Sequence, residues 1–352
     1  MPPFAKRFLL GAAKWLLLLV VIAAMVIAAE FFVRWFYRDV LSSSSGRDFF
    51  YDRSYHLFRK EELALGIRGD FFHIKPNKAM RVVFMGDSFT YGQGVYPYQK
   101  RFPEQASVLF KQRYPDIDVQ FINIGKPGFN LPQHNRNLAP FILKLEPDFV
   151  IYQWYINDME VKSDRTLVRA PPLIPNKKIH RYLTENSVIY FLMRNAQNKI
   201  RVLMGDQIEY HDLLTRNLGD PQSKKAVAAN KQLNKLLDQF SKNKIPHGIV
   251  LFPDLDIKKT DYKLAYLHQQ VLDVCEQRSI NCLDLTRAYS EYDDDLSQLW
   301  ANVFDHHPSA LAHRVAAREI VDFFEDEWKE VSTKGRFSEQ QAQSSGAAAQ
   351  PD

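Results

Sequence analysis

A serine stands on a glycine-flanked turn directly after an apolar run, in the segment GDSFTYGQG from Gly86 to Gly94. Such a turn at the end of a buried strand exposes the Ser88 hydroxyl and a backbone N–H together at the edge of a sheet. A nucleophilic serine needs that exposure. The same residues also fit an ordinary strand-to-helix turn in which Ser88 is the N-cap.

Three further motifs place polar residues after an apolar run or before a helical one. They are NIGKPGFN at Asn123–Asn130, YIND at Tyr155–Asp158 and FDHHPSALAH at Phe304–His313. Together with the serine motif, and in this order, they resemble the four blocks of the SGNH/GDSL hydrolase superfamily, in a membrane-anchored bacterial form. The resemblance covers about residues 81–158 and 245–325. Each motif is short, so the resemblance depends on their order and positions.

The resemblance implies that Ser88 is the nucleophile and that Gly128 and Asn157 form an oxyanion hole. In the family, a glycine of the second block donates its backbone N–H, and an asparagine of the third block donates its side-chain amide. Pro127–Gly128 also fits a type II turn, which presents an N–H as well. The family's usual glycine two residues before the asparagine is Tyr155 here, which affects the shape of the pocket more than the role of Asn157.

The last block supplies an acid and a base in the family, which implies Asp305 and His307 here. The common spacing has two residues between them, whereas this sequence has one. We prefer His307 because it directly precedes Pro-Ser, as in the family, and because it shares the side of Asp305 on an extended segment. His306 is the alternative base. His313 lies a turn into the predicted helix and is expected to be structural.

These residues imply ester chemistry that needs neither a metal nor an organic cofactor. Ser88 would attack an ester carbonyl while His307 accepts its proton and Asp305 orients the imidazole. We expect a carboxylic ester hydrolase that removes short acyl groups, such as acetyl, from a cell-envelope glycan or a lipid-linked substrate. Two alternatives remain open: an O-acyltransferase that delivers the acyl group to a glycan hydroxyl, and a non-catalytic glycan-binding or assembly subunit with the same fold.

Short apolar runs alternate with helical periods through the same region. Strands are predicted at Val82–Gly86, Val119–Ile124, Phe149–Tyr155, Gly248–Phe252 and Asn281–Leu285, and helices at Pro103–Arg113, Leu138–Leu145, Ala226–Lys242, Asp261–Gln277 and Ser309–Val331. The alternation predicts right-handed crossovers and an α/β fold, a three-layer αβα sandwich with a central parallel sheet of about five strands. The SGNH resemblance implies the same flavodoxin-like arrangement.

The N-terminal region reads as a membrane helix. Lys6, Arg7 and Lys14 precede an apolar run from Trp15 to Val33 that only Glu30 interrupts. The run of about 19 residues is long enough to cross a bilayer, and it exceeds the apolar region of a usual signal peptide. We therefore expect an uncleaved anchor, with the short N-terminal segment left inside and the catalytic domain periplasmic or extracellular. The alternative is a cleavable signal peptide, with Val26 and Ala28 as the small residues before the cleavage point. The predicted location is the inner membrane, in single-pass form.

The sequence divides into an anchor (1–38), a stalk and lead-in (39–79), an SGNH hydrolase domain (80–331) and a tail (332–352) that is expected to be disordered. Within the domain, residues 161–223 show no clear strand pattern. This insertion is a candidate lid over the carboxyl edge of the sheet, or else a partly helical surface excursion.

Composition limits the classes of partner. The 46 basic and 41 acidic residues give a formal charge of +5 without a sustained basic block, so nucleic acid is not an expected partner. The two cysteines, Cys275 and Cys282, could pair in an oxidising compartment. We favour the interpretation that they are two small buried hydrophobic residues. Neither has the neighbours expected of a metal site or a nucleophile.

Overall fold

The computed structural model describes residues 3–36, 79–95, 97–161, 170–302 and 305–333. The predicted stalk and tail lie almost entirely outside these residues. The chain divides into a smaller unit, Met1–Tyr51 with Arg165–Ile208, and a larger unit, Asp52–Asp164 with Glu209–Asp352.

A five-stranded parallel sheet forms the centre of the larger unit. Its strands are β1 (Met80–Gly86), β2 (Val119–Gly125), β3 (Phe149–Trp154), β4 (His247–Leu251) and β5 (Cys282–Asp284), in the spatial order β2-β1-β3-β4-β5. This is the order of flavodoxin-like doubly wound sheets. Each of these five strands forms where an apolar run predicted it, with ends that differ by a residue or two. The predicted fold class is confirmed.

The helices connect these strands and also form most of the smaller unit. They are α1 (Pro3–Phe36), α2 (Ser88–Tyr91), α3 (Phe102–Arg113), α4 (Leu131–Gln133), α5 (Ala139–Leu143), α6 (Lys177–Asn186), α7 (Val188–Leu203), α8 (Tyr210–Leu218), α9 (Lys224–Lys242), α10 (Ala265–Arg278), α11 (Thr286–Tyr289) and α12 (Ala310–Phe323). A single turn of π-helix at His134–Leu138 joins α4 to α5.

The core has two halves, one on each face of the sheet, because successive side chains of a strand point to opposite faces. In β1, Val83 and Met85 pack in the half covered by α5, α9 and α10. Val82 and Phe84 pack in the half covered by α3 and α12. Both faces of the sheet are thereby covered, which explains why the strands are mostly apolar in sequence.

Helix ends depart from the sequence prediction at three places. The helix predicted at Leu138–Leu145 is shorter in the structure, where α5 ends at Leu143. Helix α10 begins at Ala265 rather than at the predicted residue 261. The predicted last helix breaks at Phe324, where φ is −99° and ψ is 12°, and helical residues resume at 325–333. Phe324 and Trp328 are fully buried against the sheet. The break therefore coincides with the burial of these two aromatic side chains in the core, which the helical periodicity of the sequence does not encode.

Two further features correct or extend the sequence prediction. Cys275 and Cys282 form a disulfide between the end of α10 and β5, so the favoured interpretation of two unpaired cysteines is wrong. The helix-to-strand turn brings their Cα atoms to 6.3 Å, within the range that a disulfide needs. A short antiparallel hairpin, β6 (Trp300–Asn302) with β7 (Asp305–Pro308), was not predicted.

The smaller unit contains α1, α6 and α7. Residues 13–35 of α1 are long and apolar enough to cross a membrane, as an anchor or as a signal sequence. Within the predicted insertion, residues 170–223 are described and contain helices but no strand. Helix α8 belongs to the larger unit, where Leu214 and Leu218 pack in its core.

Candidate active site

Ser88 begins α2 at the carboxyl end of β1. The preceding residue, Asp87, is the N-cap, and its carboxylate accepts the Phe89 backbone N–H at 2.9 Å. The alternative interpretation of Ser88 as the N-cap is therefore not what the structure has. This leaves the Ser88 hydroxyl available for another partner.

A buried glutamine on the neighbouring strand holds the serine turn in place. The Gln153 side-chain oxygen accepts the Asp87 N–H at 3.2 Å, the Thr90 N–H at 3.2 Å and the Thr90 hydroxyl at 2.8 Å. A Cβ atom at Gly86 would lie 2.3 Å from that oxygen, so only glycine allows this close approach. The sequence analysis missed Gln153. A polar residue inside an apolar strand was the available signal.

A chain of hydrogen bonds links Ser88 to His307 and His307 to Asp305, although the serine and the histidine are 219 residues apart. The His307 Nε2 atom is 2.9 Å from the Ser88 hydroxyl oxygen, and the His307 Nδ1 atom hydrogen-bonds the Asp305 carboxylate. Asp305 and His307 belong to β7, so their side chains share a side as an extended segment requires. This arrangement is that of a nucleophile, a base and an orienting carboxylate.

The pKa of Asp305 is lowered although the side chain is buried. Burial by itself would raise the pKa of this carboxyl, but the neighbouring His307 imidazole outweighs it through its charge and hydrogen bonds. Asp305 therefore stays ionised and can hold the imidazole. The edge of the His307 ring meets the Phe89 ring at 5.6 Å, which supports it from another side.

His306, the alternative base, faces away from the serine. Its Nδ1 atom lies 2.6 Å from the Asp256 carboxylate, and its ring stacks on Trp300 with centroids 4.1 Å apart. The Trp300 indole N–H in turn donates to the Leu255 carbonyl. These contacts hold the hairpin against the loop after β4, so the role that they indicate for His306 is structural.

Gly128 lies on the turn that follows β2. The Phe129 N–H donates to the Lys126 carbonyl at 3.2 Å, and the φ of Gly128 is +74°. This is the predicted Pro-Gly type II turn, whose third position favours glycine. No heavy atom lies within 4 Å of a Cβ built on Gly128, so open space surrounds it.

Asn157 lies on a short 3-10 turn after β3, Ile156–Met159. Its side-chain N–H donates to the Asp87 carboxylate at 3.0 Å. Burial, followed by the nearby charge of Asp158, raises the pKa of Asp87 to about 6. Through its hydrogen bonds with the Phe89 N–H and the Asn157 amide, the Asp87 carboxylate bridges the serine turn and the asparagine. Sequence reasoning did not assign this role. An asparagine amide has two N–H donors, so one remains for another acceptor.

The turn that carries Asn157 is held by a second buried carboxylate. Asp158 accepts the Tyr155 backbone N–H at 3.1 Å and lies 3.0 Å from the His134 Nε2 atom. The side chains of Asp158 and His134 are both fully buried. The π-helical turn in which His134 lies thereby contacts the loop beside the candidate site.

Tyr155, which replaces the family's usual glycine, is part of the wall beside the site. Its ring stacks on Phe89 with centroids 4.4 Å apart, and its hydroxyl donates to Asp254 at 3.0 Å. Asp254 also bonds the His211 Nε2 atom at 2.8 Å. Burial would raise the pKa of Asp254, but the His211 bond outweighs it and lowers that pKa. Sequence reasoning missed this cluster; the signal was an acidic residue just after β4.

His313 is a core residue, which agrees with its expected structural role. Its Nδ1 atom accepts the Phe102 backbone N–H at 3.2 Å, and its ring stacks on the Phe102 ring. Burial, followed by the charges of Arg101 and His307, lowers its pKa to about 3. The imidazole is therefore neutral in the folded protein.

We expect His313 to make the protein less stable in acid. An unfolded histidine titrates near pH ~6.5, so between this pH and about 3 the unfolded chain binds the extra proton. The contribution of the neutral His313 side chain to the free energy of unfolding is fully present above pH ~6.5. Below that pH the free energy of unfolding falls by up to about 1.4 kcal/mol per pH unit. His313→Asn keeps an acceptor and should flatten the pH dependence of the melting temperature. Parallel pH slopes for both proteins would contradict this assignment.

The described residues contain no group of three or more His, Cys, Asp or Glu side chains arranged to hold a metal ion. The clusters at the site are pairs of one imidazole with one carboxylate, which suit proton transfer and orientation.

Comparison with known proteins identifies the family. The GDSL-like Lipase/Acylhydrolase family model matches residues 84–315, which include all four motifs. The chain therefore belongs to the GDSL-like lipase/acylhydrolase family, and it is a carboxylic ester hydrolase of the SGNH type. No curated protein matches the sequence.

The similar solved structures are remote in sequence. A lipolytic protein of the G-D-S-L family from Veillonella parvula is 15% identical, with a TM-score of 0.42, over 70% of this chain and 98% of that one. A catalytic mutant of an acetylxylan esterase from Geobacillus stearothermophilus is 16% identical, with a TM-score of 0.44, over 71% and 95%. A two-domain esterase active on acetylated mannans is 15% identical, with a TM-score of 0.43, over 72% and 50%.

Proposed function

We propose that this protein is a serine esterase that removes short acyl groups, such as acetyl, from a cell-envelope glycan or a lipid-linked substrate. The observation that carries the proposal is the 2.9 Å contact between the Ser88 hydroxyl and His307 Nε2, with Asp305 on the other ring nitrogen. A serine hydroxyl is a weak nucleophile without a base at this distance.

The reaction proceeds in two steps that use the same residues. Ser88 attacks the ester carbonyl while His307 takes its proton, and the protonated imidazole then gives that proton to the leaving alcohol. Water then attacks the acyl carbonyl while His307 takes its proton; the imidazolium gives that proton to the Ser88 oxygen as the bond between Ser88 and the acyl group breaks, and the released acid ionises to a carboxylate. Asp305, whose pKa is low, remains ionised and stabilises the charged imidazole in both steps.

The negative charge on the carbonyl oxygen needs donors that are already in place. We assign this role to the backbone N–H groups of Ser88 and Gly128 and to the side-chain amide of Asn157. The Asp87 carboxylate holds one N–H of that amide at 3.0 Å, which orients the other. Asp87 is thereby a positioning residue.

Asn157→Ala is expected to lower kcat by about 100- to 1,000-fold, because one oxyanion donor typically contributes about 2.7–4 kcal/mol in the transition state. KM should change little, since the charge develops only after binding. Steady-state kinetics on p-nitrophenyl acetate measure both constants. Asn243→Ala, at the exposed end of α9, is the matched control. A change confined to KM would remove Asn157 from the oxyanion hole.

The location supports a substrate outside the cytoplasm. We place α1 in the inner membrane as an uncleaved single-pass anchor, with the catalytic domain periplasmic or extracellular. Lys6, Arg7 and Lys14 before the apolar span favour this orientation, and the Cys275–Cys282 disulfide agrees with an oxidising compartment. A membrane-held enzyme in that compartment meets envelope glycans and lipid-linked intermediates.

The substrate class is tested by incubating the full-length protein with O-acetylated envelope polysaccharide and measuring released acetate. Chemically deacetylated polysaccharide is the blank, and the Ser88→Ala protein is the control. Acetate release that depends on Ser88 supports the proposal. Transfer of acetyl to an added sugar without acetate release would instead make the protein an O-acyltransferase.

A further inference from the structure

Glu30 is the one acidic residue in the apolar stretch of α1, and its carboxylate accepts several hydrogen bonds within the smaller unit. Glu30 accepts the backbone N–H groups of Val188 at 2.9 Å and Ile189 at 3.1 Å, and the Ser187 hydroxyl at 2.9 Å. It also accepts the Arg34 guanidinium at 2.8 Å. The first backbone N–H groups of a helix have no partner within the helix. Ser187 is the N-cap of α7 and accepts the Tyr190 N–H, and Glu30 of α1 completes the cap by accepting the two N–H groups before it.

The cap fixes where α7 begins relative to the apolar span. Glu30 is five residues before the end of the span at Trp35, which is about 8 Å along the helix. If α1 crosses a bilayer, Glu30 lies close to the boundary between the hydrocarbon and the headgroups. The first turn of α7, at Val188, therefore lies at that boundary too.

One side of α7 and its C-terminal end is apolar and exposed. Met193, Ile200 and Met204 are 53%, 54% and 70% exposed. At 100° per residue these three positions fall within about 40° of one another. Leu203, which is 86% exposed, lies beside them. An apolar side of this kind, starting at the bilayer boundary, matches an interfacial helix.

The charge of the same segment fits an anionic surface. Residues 170–208 contain six Lys and Arg side chains against two Asp and Glu. Each such basic group near an anionic lipid surface contributes about 1 kcal/mol of attraction. A neutral or basic protein partner would not call for this excess, and an acidic protein that covered α7 is distinguished from lipid by the test below.

We propose that α7 lies in the lipid–water interface of an anionic bilayer, with Met193, Ile200 and Met204 among the acyl chains and its start fixed by the Glu30 cap. This inference rests on the membrane anchoring proposed above. It gives the chain a second membrane contact, so the predicted insertion is tied to the bilayer through both α1 and α7. It also gives Glu30 a function that a cleaved signal sequence would lose.

The test uses the full-length protein reconstituted into vesicles of phosphatidylglycerol and phosphatidylcholine. An environment-sensitive fluorophore is placed on Met204→Cys or Ile200→Cys, because the native cysteines are joined in a disulfide. Quenching by lipids that carry a doxyl group near the headgroup end is compared with quenching by iodide in water. Leu18→Cys reports the anchor, and Lys231→Cys, exposed on α9, reports water.

The expected result is strong doxyl quenching and weak iodide quenching at Met204 and Ile200, with the opposite at Lys231. Adding Glu30→Ala should shift the Met204 label towards iodide quenching while the Leu18 label stays in lipid. Iodide quenching of the Met204 label in the unaltered background, with Leu18 in lipid, would overturn the interfacial helix alone. A Leu18 label in water would overturn the anchor itself. Protection of Met204 from both quenchers would mean that a protein, such as a second copy, covers α7.

Discussion

Ser88→Ala is expected to lower the turnover of p-nitrophenyl acetate by about four to six orders of magnitude, which is the effect of removing the nucleophile from a serine triad. The fold should survive, since the hydroxyl's hydrogen bond is with His307 and the turn is held by the Asp87 and Gln153 contacts. The measurement is steady-state kinetics on the full-length protein in detergent, with circular dichroism and thermal melting as folding checks.

A fluorophosphonate probe gives an independent readout of the same assignment. The probe should label the unaltered protein at Ser88 and fail to label the Ser88→Ala variant. Ser241→Ala, at an exposed serine near the end of α9, is the matched control and should keep both labelling and turnover. Substantial turnover by Ser88→Ala would remove this serine from the mechanism.

His307→Ala is the second large effect, again with a loss of about four orders of magnitude or more. A general base must be unprotonated to accept the serine proton, so turnover by the intact protein should fall towards acid pH. The part of that pH dependence caused by the imidazole should disappear in His307→Ala, because that group is gone, whereas the Asp87 carboxyl, whose pKa is raised to about 6, remains. Thermal melting should remain cooperative.

His306→Ala is the matched comparison, one residue away on the same hairpin. Its imidazole contacts Asp256 and stacks on Trp300, so its loss should loosen the hairpin and reduce turnover much less. The acid limb of the pH profile should remain. If the two variants ranked in the opposite order, His306 would be the base and β7 would have to rearrange on substrate binding. Small, equal effects would argue for a non-catalytic protein.

Much of the fold follows from local pattern. A strand buried on both faces is apolar at most positions, so the five runs located β1 to β5 to within a residue or two. Parallel strands that alternate with helices end at one edge, so the predicted sheet agrees with the shared site that the resemblance implies for Ser88, Gly128 and Asn157, which follow β1, β2 and β3. The alternation of side chains along an extended segment likewise placed Asp305 and His307 on one side. The catalytic roles of these residues stay predictions.

The partners of the buried polar groups depended on the tertiary structure. Asp87 and Asn157 are 70 residues apart in the chain, and Tyr155 and Asp254 are 99 apart. No local pattern encodes such pairs, because each forms only after the sheet has brought separate loops to one edge. The Gln153 contact with the serine turn arises in the same way, across two neighbouring strands.

The sequence by itself determined the order of the strands along the chain, the apolar span of α1 and the motifs that identify the family. The tertiary structure decided the Cys275–Cys282 disulfide, the break in the last helix at Phe324 and the capping of α7 by Glu30. The reason is the range of the forces involved. Periodicity and turn preference act within a few residues, whereas a disulfide, a packed ring or a capped helix needs groups that only the folded chain brings into contact.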